Sequence, residues 1–316
     1  MEITPWNFEQ VVDKIASEEE FIKRLTVKDT YLYGHNVLPA HSFIYERYKV
    51  LNELNSVRIN GRKIPIELKQ QLFEDLFKKY KVVTRKILIN ELLLLGKVNP
   101  EITGLSDPEK FNNGLTSYID LKNILGDKVE RADCQSDLED IILWSTIFED
   151  KDNFRLKLDE ITWLNNRERD QISNIRYTGW GRLSRYLLTE VKGKYGDSIL
   201  DLMWQTNSNF MEIQSQKVFQ QQIYAENMRF LQKQGKGRKS IEKVIDGYNT
   251  SPANKKAIKN VIRLVRDLQR QMGGEAPKTI AIEFARGEQK RGSRKDPRIT
   301  KIQKIYKKIS KELTKE

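Results

Sequence analysis

Three arginines and two aromatic rings fall within ten residues, in the run Arg176-Tyr177-Thr178-Gly179-Trp180-Gly181-Arg182-Leu183-Ser184-Arg185. The guanidinium forks of Arg176, Arg182 and Arg185 suit phosphate oxygens bidentately. Tyr177 and Trp180 supply flat rings that pack in a core or stack on a base or sugar. Gly179 and Gly181 bracket the tryptophan, so the main chain there can approach another surface without a Cβ in the way. These are the residue types of a nucleic-acid backbone contact. They equally suit a tight turn between helices, with Trp180 buried and the arginines in ordinary ion pairs.

A second candidate is a single acid. In Thr279-Ile280-Ala281-Ile282-Glu283-Phe284, strand alternation puts Ile280, Ile282 and Phe284 on one face and Ala281 and Glu283 on the other. A carboxylate near a strand end can ligate a divalent cation, a hard ion that prefers oxygen. Two-metal phosphodiester hydrolysis needs several carboxylates converging on metals ~3.5–4 Å apart, and one acid is about a quarter of such a site. A surface-facing glutamate on an edge strand is the alternative.

Other chemistries are thinly supplied. Cys134 is the sole cysteine, and His35 and His41 are the only histidines, so disulfide frameworks, cysteine-based zinc sites and multi-histidine metal sites are excluded within the chain. The two histidines flank Pro39 and read as turn and cap residues. Gly235-Lys236-Gly237-Arg238-Lys239-Ser240 lacks the spacing of a phosphate loop. It reads as a flexible basic loop with Ser240 capping a helix.

The elements that must position these residues are mostly helices. A helical pattern runs around Ser42 to Leu54, Pro65 reads as the first residue of one through Phe77, and Thr84 caps one that ends at Gly96. Residues 100–104 read as a loop, and Asp107-Pro108 as the start of another helix. Leu138, Ile141, Ile142, Trp144 or Ser145 and Phe148 form the stripe of a helix in an acidic stretch, Asp127 to Asp170, with 13 acids against 7 bases. Asp197-Ser198 caps a short helix to Trp204, and a glutamine-rich segment from Gln214 to Gln222 continues as helix toward Leu231. Ser251-Pro252 opens a helix with Ile258, Val261, Ile262, Val265, Leu268 and Met272 on one face. Gly273-Gly274 ends it, and the strand carrying Glu283 follows.

The chain has 316 residues and a net charge of +12, but the charge is uneven. Residues 1–225 hold 31 Lys+Arg against 34 Asp+Glu, residues 226–274 hold 12 against 4, and residues 286–316 hold 12 against 4. A polyanion would therefore meet a patterned face in the first 225 residues and a basic C-terminal quarter. Solvated lysine-rich helices account for the same counts. No apolar run approaches the ~18 residues of a membrane span. The composition fits an intracellular, reducing compartment.

The Arg176–Arg185 run resembles a segment of the recognition lobe of the type II CRISPR RNA-guided DNA endonucleases. So do Ile3-Thr4-Pro5-Trp6-Asn7-Phe8-Glu9, Val37-Leu38-Pro39-Ala40-His41-Ser42 and Lys278-Thr279-Ile280-Ala281-Ile282-Glu283-Phe284-Ala285-Arg286. The four segments occur in the family's order and span nearly the whole chain. The resemblance implies a mainly α fold: the end of a preceding recognition subdomain (1–25), an α-helical recognition subdomain (26–250), and a helix-strand piece of an incomplete RNase H-like (RuvC-like) domain (251–286). A linker and first helix toward an HNH domain follow (287–316). It makes the chain an expected segment of a longer bacterial, cytoplasmic protein of antiviral defence.

The resemblance also implies roles. The helical part is expected to hold the distal end of the guide RNA–target DNA duplex by shape and backbone while base pairing reads sequence. Arg182 becomes a target-strand phosphate contact, supported by Trp180 and Arg185, with Arg176 and Tyr177 beside them. Glu283 becomes a magnesium (Mg2+) ligand whose partner carboxylates lie in other segments, so the chain alone is expected not to cut. Expected partners are guide RNA, target DNA and the remaining nuclease domains, with protein inhibitors a further class and no membrane. Val27 and Glu212 stand where related sequences carry small polar amides, which puts those two duplex contacts in doubt. The rival readings are a helical protein-binding scaffold and a free-standing metal nuclease.

Overall fold

A serine side chain opens the first described helix of the computed structural model, of which residues 27–233, 241–242, 245–246 and 251–274 are described. Ser42 Oγ accepts from the Tyr45 N–H at 3.3 Å, satisfying one of the orphan donors of a helix start. This helix, α1 (Phe43–Leu54), buries Tyr45, Val50, Leu51 and Leu54, with Leu54 four residues from Val50 and three from Leu51 on one helical face. The chain divides into two compact units, Met1–Val261 and Ile262–Glu316.

After α1 comes a hairpin that the periodicity did not announce. Strands β1 (Arg58–Ile59) and β2 (Arg62–Lys63) pair antiparallel across Asn60-Gly61. Both turn residues have left-handed φ, 50° and 76°, as a two-residue hairpin requires. Residues 102–103, expected in a loop, form β3 (Ile102–Thr103) and pair with β1, giving the sheet order β2-β1-β3. Two-residue strands carry no alternation to read; Asn-Gly was the available signal.

Pro65, expected as the first helical residue, sits instead at the N-cap of α2 (Ile66–Leu72), and α2 runs on into a π-turn, Phe73–Phe77. Helix α3 (Arg85–Leu94) is capped by Thr84, whose hydroxyl accepts from the Ile87 N–H at 3.3 Å. Asp107-Pro108 does not open a helix. The buried Glu53 carboxylate takes the N–H groups of Asn112 and Asn113 at 3.0 and 3.2 Å, which holds that stretch as a loop. The next helix, α4 (Thr116–Leu125), starts only beyond it.

Helices α5 (Gln135–Ile147), α6 (Lys151–Asp159) and α7 (Asn166–Ile172) carry the acidic stretch. Leu138, Ile141, Ile142 and Ser145 of α5 turn inward, as their spacing predicted. Helix α8 (Ile199–Gln205) starts at Ser198 with a reciprocal capping box to Asp201. The glutamine-rich segment is not one helix: α9 (Phe210–Gln214) ends at Ser215, and α10 (Lys217–Lys233) begins afresh. Helix α11 (Pro252–Gln271) is basic and amphipathic, with Ser251 Oγ accepting from the Asn254 N–H at 3.2 Å. Among the described residues no helix is long and apolar enough to cross a membrane.

Two apolar clusters form the core. One gathers α1, α2, α3, α8, α9 and α10, with Leu183, Leu187 and Leu188 among its members. The other gathers α4 to α7, with Tyr177 at its edge. The segment from 177 to 188 thus has a foot in each.

Lys69 of α2 is 0% exposed. Its ammonium donates to Asn55 Oδ1 at 3.0 Å, Met203 O at 2.8 Å and Thr206 O at 2.5 Å. It thereby ties α2 to the end of α8 without a carboxylate partner, and burial holds its pKa down at about 8. Between about 8 and the ordinary lysine value of 10.5, the unfolded chain keeps a proton that the folded chain has released. This group's share of stability therefore increases as pH climbs through that window. Lys69→Met, which strands the three acceptors, should cost about 2–3 kcal/mol near neutral pH. In urea denaturation, the deficit relative to the parent chain should widen between about pH 7.5 and about pH 9.5; a constant deficit would show that Lys69 does not titrate there.

Candidate nucleic-acid interface

The arginine-rich run and the Val37–Ser42 segment, far apart in sequence, pair with each other. Leu38 N–H donates to Leu183 O at 3.0 Å, Gly181 N–H to Leu38 O at 2.7 Å, and Ala40 N–H to Gly179 O at 3.0 Å. Pro39 and Trp180 form the bridge between them. Gly179 has φ +90°, a left-handed conformation that glycine adopts freely. Gly181 answers to space rather than to φ. A Cβ there would lie 2.8 Å from the Tyr45 ring and 3.0 Å from Leu38 O.

Around Arg182 nearly every main-chain polar group is engaged. Its N–H donates to the Tyr45 hydroxyl at 3.1 Å. Its carbonyl accepts from both the N–H and the hydroxyl of Thr30, at 3.2 and 2.9 Å. Ser184 N–H donates to the buried carboxylate of Asp29. The Arg182 side chain, by contrast, is exposed, as are those of Arg176 and Arg185. None of the three forms an ion pair with a described residue.

The other members of the run divide. Trp180 is half-buried. Tyr177, expected beside the arginines at a nucleic-acid surface, is instead 6% exposed and packed in the second core cluster. His41 stacks on its ring at 5.0 Å and 24°. The ring offers no free face to a base; its place is under the surface. His41 in turn shares a 2.8 Å hydrogen bond with Glu46. Glu46 also accepts from the N–H and hydroxyl of Ser117 at 3.1 and 2.8 Å. Burial pushes the Glu46 carboxyl above the ordinary range, and the hydrogen bonds from His41 and Ser117 oppose that.

Arg185 differs from Arg182 in its surroundings. It lines a cleft of about 470 Å³ together with Arg47, Lys192, Glu139 and Trp204, and it acts electrostatically on Glu139 and Asp140. Both acids are pushed up chiefly by burial, which the Arg185 charge opposes. Arg182 instead acts electrostatically on the Tyr48 hydroxyl.

Sequence reading missed the residues that hold this surface together: Asp29, Thr30 and Tyr45. They lie 155, 152 and 137 residues from their partners, and no local pattern marks them. Only the Val37–Ser42 segment, singled out by resemblance, pointed to the right neighbourhood.

A family model described as the REC lobe of CRISPR-associated endonuclease Cas9 matches residues 1–227. The chain belongs to this family. It is 34% identical to the CRISPR-associated endonuclease Cas9 of Streptococcus mutans over 91% of the chain, and 35% identical to that of Listeria innocua over its whole length. A Staphylococcus aureus Cas9 is 26% identical over 78% of the chain. The chain spans 22–24% of the length of these relatives.

Val27 and Glu212, whose duplex contacts the resemblance put in doubt, are both placed. The Val27 carbonyl accepts from Val37 N–H at 3.0 Å, so Val27 belongs to the clamp by its backbone. The Glu212 carboxylate closes a capping box with Asn209 at the start of α9 and lies 3.5 Å from the Lys63 ammonium. It is committed within the chain. Glu283, with its strand, lies outside the described residues. Among the described residues no group of three or more His, Cys, Asp or Glu is arranged to hold a metal ion, so they build no metal centre.

The close approach at Gly181 sets a mutational expectation. Gly181→Ala should destabilise the REC-lobe chain by roughly 2 kcal/mol, because Tyr45 and the Leu38 carbonyl must both give way. Gly61→Ala, at a turn with open space around it, should cost only about 1 kcal/mol, from its positive φ. Urea denaturation of the two variants compares them; equal losses would remove the steric argument.

Proposed function

We propose that this chain is the part of an RNA-guided DNA endonuclease that grips the guide RNA–target DNA hybrid by its phosphates, with Arg182 a direct phosphate contact. The observation that carries the reading is an exposed guanidinium, free of ion pairs with the described residues, on a main chain tied down on both sides. A cation so placed meets a phosphate with its main chain already ordered and breaks no ion pair with a described residue. Family membership supplies the class of ligand. The charge distribution fits as well: residues 1–225 are net −3 from 31 bases and 34 acids, so attraction to a polyanion must be local rather than general. Arg176 and Trp180 flank the contact, and Arg185 joins it from the rim of its cleft.

Glu283 is assigned one magnesium ligand of a RuvC-like nuclease site. What supports this is the match of residues 278–286 to that family segment and a relative that aligns over the whole chain. The remaining ligands would come from elsewhere in the parent protein. Helix α11 suits a protein neighbour, since Leu264, Leu268 and Met272 are 61, 49 and 60% exposed. The remaining nuclease domains of the parent are the partner proposed for it.

Arg182→Ala should weaken binding to every guide–target hybrid alike, whatever its sequence. It should also lower the slope of log affinity against log salt by about 0.9, one phosphate's worth. Electrophoretic shifts at several salt concentrations measure both, and an unchanged slope would end the phosphate assignment. Adding magnesium to the chain with hybrid or duplex DNA should leave the nucleic acid intact; cleavage would mean the metal site is complete without other segments.

A further inference from the structure

The Asp29 carboxylate is 1% exposed, and no lysine, arginine or histidine nitrogen pairs with it among the described residues. Burying an uncompensated charge is costly, so the groups that hold it are informative. One oxygen accepts from Tyr31 N–H at 2.7 Å and Leu32 N–H at 3.1 Å, and the other from Ser184 N–H. Its own N–H donates to His35 O at 2.8 Å. The next residue, Thr30, gives both of its donors to the Arg182 carbonyl.

Asp29 and Thr30 therefore seize residues 182 and 184 from one side, while the Tyr45 hydroxyl takes the Arg182 N–H. Nothing in this arrangement touches the guanidinium. The three residues fix where it starts and which way the main chain beneath it runs.

We propose that Asp29, with Thr30, is a positioning residue for Arg182: it adds no contact to a phosphate itself but holds the backbone from which the guanidinium is presented. The proposal rests on the phosphate reading of Arg182 given above. A carboxylate is required because all three N–H groups point at it. An asparagine turns one amide donor toward at least one of them, so Asp29→Asn breaks the link to Ser184 or to the Tyr31–Leu32 turn. Thr30→Val is milder, removing one hydrogen bond to the Arg182 carbonyl at nearly constant volume.

The test is hybrid binding by Asp29→Asn and Thr30→Val, each made in the parent chain and in Arg182→Ala, with thermal melts to set a temperature at which all are folded. Asp29→Asn should lose about fivefold in affinity and Thr30→Val about two- to threefold in the parent background. Both losses should shrink below about twofold once Arg182 is gone, because nothing is left to position. Equal losses in both backgrounds, or no loss in the parent chain, would overturn the positioning role while leaving the phosphate contact standing. If Arg182→Ala itself binds hybrid like the parent, the phosphate reading fails, and the positioning role fails with it. Thr30→Val keeps the comparison available should Asp29→Asn not fold.

Discussion

The first unit is held at its centre by main-chain pairing between residues 27–42 and 176–184. A buried polypeptide group left without a partner costs as much as a lost hydrogen bond. Here two irregular segments, neither helix nor sheet strand, satisfy one another across more than 130 residues of intervening chain. Gly181 makes the approach possible, since no side chain fits between it and Tyr45. The 176–184 segment touches both cores, with Tyr177 in the second cluster and Leu183 in the first, while Leu32 of the other segment lies in the first. The surface at Arg182 thus stands over the junction where the two halves of the helical body are joined.

Buried and half-buried carboxylates recur as staples at this and other joints. Asp29 takes an N–H from Ser184, Glu46 from Ser117, Glu53 from Asn112 and Asn113, and Glu139 from Ile44. Each acid binds a backbone donor from a distant segment, which neither an apolar side chain nor a lysine can do. Several of the acids that make residues 1–225 net negative are therefore spent inside the protein. The arginines of the 176–185 run stay outside. A nearly neutral body can in this way show a cationic surface locally, and charge counts alone do not reveal it.

Much of the helical fold was legible. Thr84 and Ser198 are readable as caps from residue type, and the Leu138–Ile142 stripe from its period, because both depend on a few neighbouring residues. The misses have physical causes. The loop at Asp107–Asn113 is fixed by Glu53, more than fifty residues away, which overrides a local helix signal. The small sheet is too short for alternation to show. The glutamine-rich helix breaks at Ser215, where the chain turns from α9 into α10.

The candidate surface divides along the same line. Residue types and order by themselves determined that Arg176, Arg182 and Arg185 were suited to phosphate, and that the chain resembled an RNA-guided nuclease lobe. Tertiary structure decided which ring was free and which was core: Tyr177 went inside, stacked under His41, while Trp180 stayed half-exposed. It also decided that Arg182 has a base tied by hydrogen bonds and no ion-pair partner among the described residues. Side-chain chemistry is a property of each residue alone, but exposure and clamping depend on groups such as Asp29, Thr30 and Tyr45, which only folding brings near.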